Sequence, residues 1–205
     1  MTEFTFFVAA ALVVALTPGP GIFYVAARTM AGGRAEGLAS TFGTGLGGLV
    51  HVLAGALGVS ALVLASAEAF ALLKFAGAVY LVWLGIKTVR EAGIADEGPV
   101  AATGAGRALR EGIVVEALNP KTAAFFLAFL PQFVDPAAGS VAAQFAFLGC
   151  ISVLLNTGVD AAVVFGAVRA RETLAARPAI LRRVRAASGV AICSLGAMLA
   201  FARRP

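Results

Sequence analysis

The chain has 205 residues, of which 60% are hydrophobic and 13% are charged, with a formal net charge of +5. A soluble domain carries about a quarter charged residues, so this composition excludes an ordinary soluble protein and favours one embedded in a bilayer. Cys150 and Cys193 lie outside any paired motif, which gives no support to a disulfide framework or a zinc site and argues against a thiol oxidoreductase. The basic residues are scattered between apolar blocks, without the basic and aromatic interleaving of a nucleic-acid surface.

Apolar stretches bounded by charged residues are long enough to cross a hydrocarbon core as helices. They cover residues 4–27, 38–66, 69–87, 112–134, 141–167 and 186–202. Their apolar residues fall on both parities of the chain, unlike the alternation of a membrane β-barrel. Because a helix satisfies its own backbone in lipid, the sequence predicts an all-α polytopic membrane protein with about six transmembrane helices.

The connections between these helices differ in charge, and this difference predicts the orientation. Connections 28–37, 87–111 and 168–185 hold most of the Lys and Arg residues, whereas 67–68 and 135–140 hold none. The positive-inside rule places the basic connections in the cytoplasm and both termini outside, in a multi-pass protein of the cytoplasmic (inner) membrane. The N-terminal segment lacks the basic start of a secretory signal, so we expect the first helix to be retained.

The two halves of the chain share a short signature. The sequence ALTPG at 15–19 and the sequence ALNPK at 117–121 stand roughly half a chain length apart. With an odd number of helices per half, the second half must insert upside down, as in many secondary transporters. We expect one transmembrane domain, 1–205, with repeats at about 1–90 and about 111–205 and a cytoplasmic linker at about 91–110. Chance similarity between Ala/Leu-rich helices is the alternative.

Prolines interrupt the first copy of the signature. Pro18 and Pro20 lack backbone N–H groups, and Gly19 adds conformational freedom, so the helix is expected to break here. We expect Thr17 to cap a second half-helix that begins at Pro18. The carbonyls of the preceding turn, Val14 among them, then lose their helical partners. The alternative is a proline kink that only aids packing.

The second copy repeats this arrangement. Asn119 is the expected cap, Pro120 the first helical residue, and Lys121 a cation beside the new helix start; the carbonyl of Glu116 is freed. Helix N-termini attract a carboxylate, and freed carbonyls accept from an ammonium. An amino acid carries both groups, so the pair of breaks predicts a zwitterionic substrate bound at 17–20 and 119–121.

Ionisable residues inside predicted helices are costly in lipid and mark transport paths. They are His51, Glu116, Lys121 and Asp160. We regard His51, Glu116 and Asp160 as candidates for proton coupling, and Glu116 as a possible ion-pair partner of Lys121. The alternatives are that His51 is a hydrogen-bonded packing residue and that Asp160 is only hydrated near the cytoplasmic end of its helix.

A stripe of small residues accompanies His51. Gly43, Gly47 and Gly55 stand at intervals of four around it. Such a stripe allows helices to approach closely, so His51 is expected to face protein or a cavity rather than lipid. Small-residue faces of this kind serve packing within one chain or between the copies of a homodimer.

These motifs, in this order, resemble the LysE/RhtB family of amino-acid exporters. The resemblance is carried by 17–20 (TPGP), the glycine run 43–48 ending at His51, 74–85 (KFAGAVYLVWLG), Asn119-Pro120-Lys121 and 131–134 (PQFV). It implies efflux of amino acids or close derivatives by proton-coupled antiport, nearest to the homoserine/threonine type. It implies a transporter rather than an enzyme, with no cofactor and no bound metal.

Three alternatives to this interpretation remain open from the residues alone. One is an exporter of another small solute or of a metal cation, although no clustered ligand motif is present. Another is a membrane enzyme, for which the single histidine offers no sequence-adjacent partner. The third is a non-transporting membrane assembly protein that uses the glycine stripe as a dimer face.

Overall fold

The computed structural model describes residues 2–59, 67–91, 93, 101–175 and 178–201, and this part of the chain is almost entirely helical. The α-helices are α1 (Thr2–Leu16), α2 (Pro20–Ala54), α3 (Ala67–Glu91), α4 (Ala105–Ala117), α5 (Pro120–Ala124), α6 (Val141–Ala175) and α7 (Pro178–Phe201). A π-helical turn, Gly55–Val59, extends α2. A π-helical turn, Phe125–Phe129, and a 3-10 turn, Leu130–Phe133, extend α5, and a second 3-10 turn is Pro136–Ala138.

The chain breaks where the prolines predict it to break. The first break, residues 17–19, separates α1 from α2, and the second break, residues 118–119, separates α4 from α5. At the second break the prediction is confirmed, because the Asn119 side chain caps α5 by accepting from the Lys121 backbone N–H at 3.0 Å and Pro120 is the first helical residue.

The prediction for Thr17 is wrong. Gly19 is the N-cap of α2 and Pro20 its first residue. The Thr17 hydroxyl instead donates back to the Val13 carbonyl at 2.6 Å, so Thr17 ends α1. Of the two prolines in this motif, only Pro20 occupies the first helical position, and Pro18 lies in the extended link between the helices.

The predicted connection 28–37 is confirmed as the place where the chain reverses direction, but the turn is a single residue and not an extended loop. Gly33, whose φ of 72° and ψ of −161° suit only glycine, separates two helical arms of α2. The arms fold back on each other, since a Cβ built on Gly21 and one built on Gly47 would both lie within 3 Å of Glu116, at 2.5 and 2.9 Å. Part of the predicted linker is also helical, since α4 begins at Ala105, and residues 94–100 lie outside the described part.

The described helices include clear membrane-spanning candidates. Pro20–Gly58 and Val141–Ala167 are each long and apolar enough to cross a bilayer, and the pair Ala105–Ala117 and Pro120–Phe133, bent by 40°, is a further candidate. The chain is therefore a multi-pass membrane protein. The count of six spans stays a prediction, and residues 60–66 of the second predicted span and residue 202 of the last lie outside the described residues.

Helix α2 packs chiefly against α4 and α6, and α3 packs against α7. Small residues permit this closeness: a Cβ built on Gly47 would lie 2.5 Å from the Ile113 carbonyl, and one on Gly85 would lie 2.5 Å from the Gly189 carbonyl. A core of phenylalanines, including Phe7, fills the middle. The expectation that the glycine stripe faces protein is thus met at Gly47.

A candidate transport site at the two helix breaks

The two breaks lie against each other in the middle of the protein. A Cβ built on Gly19 would lie 3.3 Å from both Cδ and Cε of Lys121. One built on Gly21 would lie 2.5 Å from Glu116 Oε2 and 3.8 Å from Asn119 Nδ2. Residues that stand about half a chain apart in sequence therefore form one polar cluster, which we call the break site: Thr17, Pro18, Gly19, Pro20, Glu116, Asn119, Pro120, Lys121 and Thr122.

Lys121 joins the two breaks. Its side chain is buried, and its Nζ donates to the Val14 carbonyl at 3.0 Å and to the Thr17 carbonyl at 2.8 Å. Both oxygens lie at the end of α1, where helical N–H partners become scarce, although the Val14 carbonyl also accepts from the Thr17 backbone N–H at 3.2 Å. The Val14 carbonyl that we expected to accept from a substrate ammonium therefore accepts from a protein ammonium in this structure.

Glu116 is buried, and neutral donors satisfy both of its carboxylate oxygens. Oε2 accepts from Asn119 Nδ2 at 2.8 Å, and Oε1 accepts from the Thr122 hydroxyl at 2.6 Å. No ion pair joins Glu116 to Lys121 in the described part of the chain, so the predicted pairing is not formed. The carboxylate is instead held by the residues of the second break.

His51 supports the second break from α2. Its Nε2 lies 2.9 Å from the Glu116 backbone carbonyl and donates to it, because a carbonyl can only accept. Its ring lies 5.7 Å from the ring of Phe126. The Glu116 carbonyl, which the sequence predicted to be freed, also accepts from the Asn119 backbone N–H at 3.0 Å. The expectation that His51 faces protein and not lipid is therefore confirmed, and its Nε2 is hydrogen-bonded as in the alternative to a proton-coupling role.

Asp160 on α6 is fully buried at 0% exposure, which excludes the alternative that it is hydrated at a helix end. Its Oδ2 lies 2.7 Å from the Thr44 hydroxyl of α2, and within the described part of the chain no donor reaches its Oδ1. Sequence reasoning missed Thr44. The only available signal was a hydroxyl residue within the glycine run.

A small cavity of about 20 Å³ adjoins the break site. Its polar lining comes from Thr44, Glu116, Thr122, Ser152 and Asn156, and apolar residues of α1 and Phe125 and Phe126 complete the wall. A cavity of this size holds about one water molecule and is too small for an amino acid. An amino acid therefore does not fit into this cavity without a change in the surrounding helices.

A second polar region joins α2 to the start of α4. Arg28 forms an ion pair with Glu111 and donates to the Ala101 carbonyl at 3.1 Å, and the Tyr24 hydroxyl also contacts Glu111, at 3.1 Å. The sequence assigned Arg28 and Glu111 to separate loops, so it predicted no contact between them.

Glu36 adds a second tie in this region. It is buried, and its Oε1 accepts from the backbone N–H groups of Thr103 at 2.8 Å and Gly104 at 2.6 Å. The carboxylate therefore sits at the N-terminus of α4, where helix donors lack partners. Within the described residues, no group of three His, Cys, Asp or Glu side chains is placed to hold a metal.

Comparison with known proteins identifies the family. The family model for the LysE type translocator matches residues 12–203. The homoserine/homoserine lactone efflux protein of Salmonella typhimurium is 34% identical over 196 residues, covering 93% of this chain and 92% of that protein. A leucine efflux protein of Enterobacter sp. is 28% identical over 157 residues, covering 75% and 74%.

A membrane protein of Vibrio cholerae is 33% identical over 202 residues, which cover 94% of each chain. No solved structure matches. The match of the family model covers almost the whole chain, including both breaks and the glycine run. The chain therefore belongs to the LysE type translocator family, as the order of its motifs predicts.

Proposed function

We propose that this translocator exports amino acids or close derivatives from the cytoplasm across the inner membrane by proton-coupled antiport. Relatives named for efflux of homoserine, homoserine lactone and leucine support the substrate class. The observation that carries the proposal is the break site, where the buried Lys121 ammonium bridges the end of one broken helix and the start of another.

The break site offers complementary groups for the two ends of an amino acid. The N-terminus of α2 has no side-chain cap, so its first N–H groups, from Gly21 onward, are suited to a carboxylate. Lys121 adds a positive charge close to Gly19. The substrate ammonium is suited to the Val14 and Thr17 carbonyls, which Lys121 would leave as it turns to the substrate carboxylate.

Loading of an amino acid requires a change of shape, since the cavity beside the break site is water-sized. We propose alternating access in which one inverted repeat rocks against the other. Packing of α2 against α6 and of α3 against α7 supports this, because these helices would be the equivalent members of the two repeats. The ion pair between Arg28 and Glu111 would then have to break on one side of the membrane. So would the hydrogen bonds that Glu36 accepts from Thr103 and Gly104.

The test is efflux of labelled amino acids from proteoliposomes under an imposed pH gradient, with homoserine, threonine and leucine in a wide panel. We expect export of at least one member that falls to the passive rate when an ionophore collapses the gradient. Absence of export for every member, by protein that elutes as a folded species, would contradict the proposal.

A further inference from the structure

We infer that Asp160, paired with the Thr44 hydroxyl, is the site that binds the coupling proton. The inference rests on the proposed proton-coupled export and deepens it, because the sequence left three candidates open. The argument comes from the hydrogen bonds around each of them.

The ionised form of Asp160 is poorly accommodated. The side chain is fully buried, and among the described residues the Thr44 hydroxyl is the side-chain donor that reaches Oδ2, while none reaches Oδ1. A buried carboxylate needs donors on both oxygens to balance its lost hydration. The neutral acid needs much less, so this environment favours a bound proton.

The number of hydrogens on the Thr44 hydroxyl also favours a protonated Asp160. Its Oγ1 lies 2.7 Å from Asp160 Oδ2 and 3.0 Å from the Thr41 carbonyl oxygen, yet a hydroxyl has one hydrogen. Both contacts are hydrogen bonds only when Thr44 donates to the Thr41 carbonyl and a protonated Asp160 donates to Thr44. When Asp160 loses its proton, the hydroxyl must turn to the carboxylate and release the carbonyl.

The other two candidates for proton coupling, Glu116 and His51, are better supplied with hydrogen-bond partners than Asp160. Both Glu116 oxygens accept from neutral donors, Asn119 and Thr122, an arrangement that suits a permanent carboxylate. The Nε2 of His51 is committed to the Glu116 backbone carbonyl. Among the three, Asp160 is the group whose charged form is least satisfied.

The proton site communicates with the break site. Thr44 and Glu116 line the same water-sized cavity. The charges of Glu116 and Lys121 also act on Asp160. Release of the proton to the cytoplasm therefore changes the charge beside the break site. Binding of a proton from outside reverses this change, so protons enter as substrate leaves.

The test compares two transport modes in the same proteoliposomes: efflux driven by a pH gradient, and exchange of labelled for unlabelled substrate at equal pH. We expect Asp160→Asn to retain exchange and to lose at least about tenfold of the gradient-driven rate, since a fixed neutral side chain mimics the protonated state. Asp135→Asn, at an exposed acidic residue that does not line the cavity, is the matched control and should change neither mode.

Gradient-driven efflux that survives in Asp160→Asn would overturn the inference, as would wild-type efflux driven by a sodium gradient alone. If Asp160→Asn does not fold, Asp160→Glu and Thr44→Val decide the matter: a shifted pH dependence of efflux supports the site, and an unchanged one overturns it. A wild-type protein that exchanges substrate but ignores the pH gradient would contradict the proposed coupling itself, a result distinct from failure of Asp160.

Discussion

At the scale of single residues, Lys121 has the clearest consequence. Its ammonium satisfies two carbonyl oxygens at the end of α1. Lys121→Met keeps the length of the side chain and removes both hydrogen bonds, each worth about 1.5–3 kcal/mol as a bond to a charged group. We expect export to fall about tenfold or more, measured as initial efflux from proteoliposomes.

Lys87→Met is the matched control for this prediction. Lys87 lies on α3 with its side chain 49% exposed, in an ion pair with Glu91 that contributes little. Export by Lys87→Met should stay within a factor of two of the wild type. Equal export by folded Lys121→Met and Lys87→Met would remove Lys121 from the proposed mechanism.

Gly21 tests how tightly the two breaks are apposed. A Cβ there would lie 2.5 Å from Glu116 Oε2, and that carboxylate is held by Asn119 and Thr122. We expect Gly21→Ala to displace the carboxylate and impair transport while the protein still folds, measured as efflux beside elution from a sizing column.

The control for Gly21 is Gly166→Ala on α6, where an added Cβ meets nothing within 4 Å. That change should leave transport intact and even favour the helix by up to about 1 kcal/mol, the usual difference between alanine and glycine. Equal loss of transport in Gly21→Ala and Gly166→Ala would contradict a specific role for the close approach between Gly21 and Glu116.

At the scale of elements, the start of α5 depends on one side chain. Asn119 caps α5 and also donates to Glu116. Asn119→Ala should cost about 1 kcal/mol for the cap and more for the charged hydrogen bond. We expect a lower melting temperature in detergent, measured by scanning fluorimetry.

Asp135→Ala removes a comparable cap, because the Asp135 side chain accepts from the Ala137 N–H at 2.8 Å, but at an exposed turn. Its melting temperature should fall less than that of Asn119→Ala. The reverse order would show that the second break contributes little to stability.

The elements also show where prediction from sequence succeeds. The cap at Asn119 was predictable, since a capping residue before proline is a local signal. The tightness of the turn at Gly33 was not, because charge and glycine in one segment predict a connection but not whether it is a loop or a single residue between two helices. The prediction for Thr17 was wrong for a related reason. Two prolines gave two possible helix starts, and the choice between them depends on tertiary contacts, such as that of Lys121 with Gly19, which the local sequence does not show.

At the scale of the whole molecule, segments that the charge pattern assigns to the same side of the membrane lie close together in the structure. Phe6 of α1 packs against Phe133, with ring centroids 5.9 Å apart, which places the N-terminal end near connection 135–140. Arg28 and Glu111 tie together two segments that the positive-inside rule assigns to the cytoplasm. The contacts and the charge rule therefore agree.

This orientation is testable by labelling single cysteines in a background where Cys150 and Cys193 are replaced by alanine. Exposed positions are available on both sides. We expect Glu3→Cys and Asp135→Cys to react with an impermeant maleimide in intact cells, and Arg107→Cys to react only after permeabilisation. Labelling of Arg107→Cys in intact cells would show that the predicted orientation is inverted.

The whole molecule also explains what sequence could not supply. The membrane class, the helical fold and the two breaks follow from composition and proline position. The contacts of Thr44 with Asp160 and of Glu36 with Thr103 depend on how helices rotate about their axes. In a soluble helix an apolar stripe marks the inner face, but lipid is as apolar as the core, so the sequence carries little record of that rotation.

The position of the Lys121 ammonium has a consequence for leakage. Carbonyl oxygens at a helix end attract small inorganic cations, and the cytoplasm is rich in potassium. Here the Val14 and Thr17 oxygens are already occupied by a cation that is tethered to the chain. A tethered ammonium is present at high effective concentration, so a free ion competes poorly for these oxygens. The Lys121 ammonium thus fills the position that a free cation would need at these two oxygens.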